Sequence, residues 1–297
     1  MKQYQKKQAL ERVIHGVFLL LGLVTVGCVL LITIYLIVSG IPAIRKIGLV
    51  PFLFGKVWAS TSKTNPQYGI LPFILTSVYG TAGAIVLGVP IGFFTAVYLA
   101  KLAPPRLKSI LSSAVSLLSG IPSVVFGLIG FHVVVGLMKS VLHVSTGLGI
   151  LPGAIVLAVM ILPTMTTLSV DGLRAVPDSY RQGSLALGYT RWQTIWHVVL
   201  KSAMSSLMTA VILGMTRAFG ETLAVRMVIG GIEAMPTSLL SPASTITTTL
   251  TTSMAVYAEG SAQDDVLWAL GLLLMGMSLI FILIIHLIGR KGAKARG

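Results

Sequence analysis

The chain has 297 residues, 55% hydrophobic and only 10% charged, with a formal net charge of +14 and a mean hydropathy of +0.92. Soluble domains carry about 25% charged residues, so a soluble globular enzyme is excluded and a polytopic membrane protein is expected. Spanning segments use nearly the whole length, no sizeable soluble domain fits beside them, and the single cysteine, Cys28, allows no internal disulfide.

Charge-poor runs give the spans in chain order: residues 13–38, 70–100, 110–138, 147–170, 202–231 and 266–289. About 20 residues cross the hydrocarbon core, so six helices are predicted. The surplus length of the second and third runs points to tilt, interfacial ends or broken helices. The first run is too long for a signal-peptide core and has no clear small-residue cleavage site, so no cleavage is expected.

Lys and Arg orient the bundle. The N-terminus, the loop between spans two and three, the loop between spans four and five, and the C-terminus carry fifteen of them. The opposite side has five: Arg45, Lys46, Lys56, Lys63 and Lys139. The loop after span five holds Glu233, Glu259, Asp264 and Asp265. The positive-inside rule therefore places both termini in the cytoplasm. Most of the net charge is orientation signal, so no nucleic-acid partner is implied.

Four features break the apolar pattern. In the third span, "SGIPSVVFG" (119–127) puts Gly120 and Pro122 inside an apolar run. This predicts a broken helix that Ser119 caps at its restart, with the N–H groups of Ser123 and Val124 offered to an anion; the alternative is a simple kink. Pro163 with Thr164 in the fourth span gives a weaker version of the same signal. In the fifth span, "MTRAFGETLAV" (215–225) carries Arg217 and Glu221, four residues apart and expected on one helix face. A charged side chain at a helix centre costs roughly 2.5–3.5 kcal/mol on insertion scales, so the two residues either line a pathway or form a buried ion pair. Guanidinium matches the geometry of phosphate, which makes Arg217 the candidate anion contact and Glu221 the group that tempers it. The Ser/Thr-rich run 241–253 reads as a re-entrant segment or as a polar linker.

The cytoplasmic stretch 176–200, "VPDSYRQGSLALGYTRWQTIWHVVL", is unusual. Pro177 suits the opening of a short helix and Gly188 its end. Thr190 and Gln193 fit a capping box that starts a second helix, in which Trp192, Ile195, Trp196 and Val199 share an apolar face. Two short amphipathic helices joined at a glycine form either a docking knob or a partnerless hairpin on the membrane surface.

No stretch fits G-x-x-x-x-G-K-[ST], because Gly55-Lys56 is followed by Val57, so this chain is not expected to hydrolyse ATP. His15, His132, His143, His197 and His286 are scattered, and no metal or cofactor site is expected.

The run Arg181-Gln-Gly-Ser-Leu-Ala-Leu-Gly188, followed by Val198-Val-Leu200, resembles the EAA loop of ABC importer permeases. Gln182 stands where that family usually has Glu, and Lys201 where it usually has Pro. Together with "LLSGIPSVVFGLIG" (117–130), "ILPTMTTLSVDGLRAVPDSYRQGSLALG" (161–188), "TRAFGETLAVRMVIG" (216–230) and "SLLSPASTIT" (238–247), the chain resembles phosphate-specific ABC permeases of the PstC type over about residues 66–289. The resemblance implies an all-α bundle of six transmembrane helices with the type I importer permease fold, in the cytoplasmic (inner) membrane. It implies an ATPase-coupling surface at Arg181, Gln182, Gly183, Ala186 and Gly188, and a substrate pathway past Arg217, Glu221, Ser123, Ser119 and Thr164. It implies a second permease subunit of PstA type, two ATPase subunits of PstB type and an extracytoplasmic phosphate-binding protein as partners, and no cofactor. Three regions are expected: a tail, first helix and outer loop (1–65), a permease core (66–290) and a basic tail (291–297). The alternatives are a permease for another oxyanion such as sulfate or molybdate, and a secondary anion transporter without an ATPase.

Overall fold

The computed structural model describes residues 2–60, 62, 64–257 and 260–294. Lys63, Glu259 and the end of the basic tail, 295–297, lie outside the described residues.

In chain order, α1 (Lys2–Ile47) is followed by the short α2 (Leu49–Phe54) and a small hairpin of β1 (Trp58–Ala59) and β2 (Gln67–Tyr68). Next come α3 (Leu71–Val97), α4 (Pro105–Ser119), α5 (Ser123–Ile129), α6 (Gly136–Leu142) and α7 (Ile150–Arg174). The loop helices α8 (Asp178–Ala186) and α9 (Arg191–Thr194) lead into α10 (Leu200–Gly220). The chain closes with α11 (Leu223–Ile229), α12 (Ile246–Met254) and α13 (Ala262–Lys294). Wider π-helical turns at Gly130–Val135 and Ile195–Val199 join flanking α-segments without a break, and one at Tyr98–Leu102 ends α3 before the extended Ala103.

Six described helices are long and apolar enough to cross a membrane: Glu11–Ile47, Leu71–Leu102, Ser123–Leu142, Ile150–Arg174, Arg191–Gly220 and Gln263–Leu287. The number matches the sequence expectation, but the bounds of the third and fifth spans move. The third span starts at Ser123, because α4 is a separate amphipathic helix with no buried residue. The fifth starts at Arg191, so the expected second short loop helix is the first turns of the span itself, and it ends at Gly220 rather than Gly231. Absence of charge does not mark where a helix stops, and both errors come from using it as a ruler.

The helix α7 is the axis of the bundle. Small residues bring α3 against it: a Cβ added at Gly83 would sit 2.8 Å from the Cβ of Ala154, and one at Gly88 would sit 2.9 Å from Ile161. Lipid tails are as apolar as leucine, so helices in a bilayer gain from this close van der Waals approach rather than from hydrophobic burial. Three apolar clusters follow the axis. The middle one includes Leu157, Met160, Ile161, Val225 and Val228. Leu99, Leu173, Ile195, Val199 and Leu200 form the cluster at the end bearing α8. At the opposite end, Phe52, Phe73, Ile246 and Leu267 pack together with Trp58, whose ring meets Phe73 edge-on at 5.2 Å. The helix α1 is peripheral. It lies along α13, where Tyr35 and Trp268 meet edge to face at 5.0 Å, and most of its side chains face outward.

Most of the run 241–253 forms the helix α12, which starts at Ile246 and is buried in its first turn. Thr245 caps α12 reciprocally with Thr248, and the N–H of Ile246 donates to Ser77 Oγ at 3.0 Å, which fastens α12 to α3. Every residue from Ala243 to Thr249 is buried, so the segment re-enters the bundle and is no surface linker.

Candidate functional site

The fifth span breaks where its charges lie. At Glu221 the backbone turns extended (φ −71°, ψ 133°), and α11 starts two residues later. Arg217 is therefore in the last turn of α10, while Glu221 is outside it, and the two do not share a helix face as expected. They form no ion pair; the salt bridges among the described residues are Lys46–Asp265 and Arg181–Asp178. The "GE" step is the local cause. Gly220 weakens the helix, and Glu221 is better used at a helix start, where its carboxylate accepts the Ala224 N–H of α11 at 3.2 Å.

Arg217 has a different partner. Its Nη1 donates to Thr164 Oγ1 on α7 at 2.8 Å, and both side chains are half-buried. Pro163 does not break α7, which is continuous from Ile150 to Arg174. Thr164 thus serves as the oxygen that aims the guanidinium, not as a helix end. One hydroxyl uses one of five guanidinium N–H donors, so the rest of the fork stays available to an oxyanion.

Beside Arg217, α10 presents an exposed face of Ser202, Ser205, Thr209 and Thr216 at helical spacing. Thr209 and Thr216 donate to the carbonyls of Ser205 and Ile212. Their protons are satisfied, and the oxygen lone pairs point outward on a spanning helix.

The helix break expected at 119–127 is present, with Gly120 and Ile121 between α4 and α5, but it precedes the third span and does not interrupt it. The details differ. Pro122, not Ser119, occupies the cap position of α5; Ser119 closes α4 and spends its hydroxyl on the Val115 carbonyl at 3.3 Å. Ser123 is the first residue of α5 and half-buried. The structure brings Thr164 and Arg217 together, keeps Glu221 apart from Arg217, and takes Ser119 out of the expected capping role.

Polar residues gather around Glu221, and two of them, Ser77 and Thr81, were not singled out from the sequence. Ser77, Thr81, Thr245 and Thr247 line a small cavity with it, and Thr247 Oγ1 donates to the Glu221 carbonyl at 3.0 Å. Ser77 and Thr81 are spaced i, i+4 in an apolar helix, which is a readable sign of a polar stripe.

At the far end of the bundle the 176–200 loop forms a helix and a tight turn. Gly188 takes φ +86°, and the Thr190–Gln193 capping box is complete, with bonds of 2.9 and 3.2 Å. Arg181, Gln182, Gly183, Ala186 and Gly188 are all exposed, and so are Tyr180, Leu187 and Trp192. The buried Ser184 and Thr194 hydroxyls bond at 3.0 Å and tie α8 to the base of the fifth span. Ile195 and Val199 are buried, whereas Trp192 faces outward. Behind α8 an open cleft of about 380 Å³ is lined by Lys101, Asp178, Arg181 and Arg191, among others.

Residues 88–293 match the family described as the binding-protein-dependent transport system inner membrane component. The chain belongs to this permease family. It is 42% identical over 272 residues to the probable ABC transporter permease protein YqgH of Bacillus subtilis (strain 168), covering 91% of this chain and 88% of the relative. It is 32% identical over 253 residues to the phosphate transport system permease protein PstC of Mesorhizobium japonicum, covering 78% and 77%. Two solved transporters share the fold. An inward-facing MetNI methionine ABC transporter superposes with a TM-score of 0.56 at 16% identity, over 76% of this chain and 96% of that one. An amino acid ABC transporter does so with a TM-score of 0.53 at 19% identity, over 75% and 92%. The permease therefore has the type I ABC importer fold, spans the membrane several times, and is a transporter subunit rather than an enzyme.

Proposed function

We propose that this permease forms one half of the membrane channel of an ATP-driven phosphate importer. The observation that carries the reading is the half-buried guanidinium of Arg217, held by Thr164 beside a hydroxyl-bearing face of α10. An anion leaving water needs a positive group that is oriented yet not neutralised, and a conduit needs attraction weak enough for release. Arg217 meets both conditions: its one hydrogen-bond partner among the described residues is neutral, and the adjoining face of α10 is exposed. The likeness to PstC permeases supports phosphate as the anion.

In this reading a PstA-type subunit packs against the Ser/Thr face of α10. Two PstB-type ATPases lie below, one of them docking on α8 and the Gly188 turn, and a phosphate-binding protein delivers substrate from the other side. Both termini and the 176–200 loop face the cytoplasm, and the complex resides in the inner membrane. Residues 66–290 form the permease core, with 1–65 and 291–297 as additions. Ser123 lends its N–H to the anion as a lesser contact.

ATPase activity of the complex, purified with its co-expressed subunits and reconstituted with its binding protein, tests the substrate across phosphate, sulfate and molybdate. Phosphate is expected to stimulate hydrolysis. Stimulation by sulfate or molybdate alone would reassign the anion, and transport without any ATPase subunit would place the chain among secondary transporters.

A further inference from the structure

The break between α10 and α11 encloses a small cavity that the proposed anion route does not use. Its volume is about 10 Å³, enough for one water-sized guest. The polar side chains in its lining carry oxygen alone: Ser77 and Thr81 of α3, Glu221, Thr245, whose hydroxyl also serves the α12 capping box, and Thr247. Thr81 is only 7% exposed. Glu221 commits one carboxylate oxygen to the Ala224 N–H, and no Lys or Arg pairs with it among the described residues. Ser77 Oγ receives the Ile246 N–H at 3.0 Å and keeps a lone pair. The last turn of α10 ends here as well, and helix C-termini carry unbonded carbonyls and partial negative charge. A carboxylate in this setting asks for a positive counterpart.

We propose that the cavity binds a monovalent cation of sodium size. All its donors are hard oxygens, which suit an unpolarisable cation. The space is too small for a hydrated ion, and one carboxylate is too little charge for the six to eight oxygens that calcium takes. Carbonyl ends and unwound backbone at a broken helix are where transporters hold small cations. The bound ion neutralises Glu221 and ties α3, α12 and the α10–α11 break at one point. The inference concerns the fold around Glu221 and does not depend on which anion is carried.

Thermal unfolding of the purified full-length chain in nanodiscs tests it, in sodium chloride against choline chloride at equal ionic strength. Sodium at tenfold excess over its dissociation constant is expected to raise Tm by about 3–6 °C, with saturation. The Thr81→Val and Glu221→Gln variants are expected to lose the increment. Equal Tm values in sodium and choline for the unaltered chain would overturn the proposal and leave a water in the cavity. A sodium increment that survives Thr81→Val would overturn it too, by placing the ion elsewhere. The oxyanion-stimulated ATPase measurement is separate, so failure of one reading leaves the other standing.

Discussion

Arg217 is costly in an apolar span unless its donors are used. Thr164 uses one, at 2.8 Å. Arg217→Gln is expected to lower phosphate uptake by about tenfold to a hundredfold, the range set by losing a charge-assisted hydrogen bond of roughly 1.5–3 kcal/mol. The amount of assembled complex should be unchanged; a parallel loss of complex and uptake would assign Arg217 to structure alone. Thr164→Val removes the oxygen that aims the guanidinium, and Thr164→Ser restores it. Uptake is expected to fall in the first and recover in the second, and equal uptake in both would show that the Arg217–Thr164 bond does not matter for transport. Arg217 was legible in the sequence because a lone cation in an apolar run is conspicuous. Its partner was not, since Thr164 is 53 residues away on another helix. Glu221 was placed wrongly for a local reason: i, i+4 spacing puts two residues on one face only while the helix continues, and this one ends at Gly220.

At the scale of elements, the α8 loop was the most readable. Its capping box, its glycine turn and its exposed face depend on neighbours within about a dozen residues, and local chemistry decides them. Gly188 has open space around it but a φ of +86°. A β-branched residue there is expected to cost more than the roughly 1–2 kcal/mol that left-handed backbone costs ordinary residues. Gly188→Val should therefore weaken ATPase binding, read by co-purification, while Gly188→Asn, which tolerates this geometry, retains most of it. Normal ATPase binding by the valine variant would remove the turn from the docking role. The α3–α7 contact belongs to the same scale. A side chain at Gly83 meets Ala154 at 2.8 Å, and neither backbone can yield without parting the helices. Gly83→Val is expected to destabilise the bundle by about 1–3 kcal/mol, seen as a lower Tm of the purified chain, whereas Gly136→Val, with nothing within 4 Å, is expected to be neutral.

For the whole molecule, the six spans set the hairpin end apart from the α8 end. Labelling with a membrane-impermeant maleimide checks the orientation, after the exposed Cys28 is replaced by serine. Asn65→Cys is expected to react in intact cells, and Ser179→Cys only after permeabilisation. The reverse pattern would invert the assignment made from the fifteen Lys and Arg on the α8 side. The carboxyl of Glu233, an exposed residue beyond α11 on the hairpin side, has its pKa raised by partial desolvation against the protein, with Arg226 pulling it back down. A raised carboxyl binds its proton more tightly in the folded state, so its contribution favours folding as pH falls through its folded value and is lost above it. Glu233→Gln is expected to flatten the dependence of Tm on pH just above the usual carboxylate range.

The sequence by itself determined the class, the number of spans, the helix break at Gly120 and the loop motif, because each follows from hydropathy or from contacts a few residues apart. Tertiary structure decided which polar atoms meet. It gave Arg217 to Thr164, Glu221 to α11, and the 241–253 run to a buried place between α3 and α13. The reason is physical. In a medium that satisfies no polar group, a buried hydroxyl or carboxylate gains from finding a partner, and the partners available are those that helix packing brings close. Periodicity along one helix is silent about which neighbour it packs against.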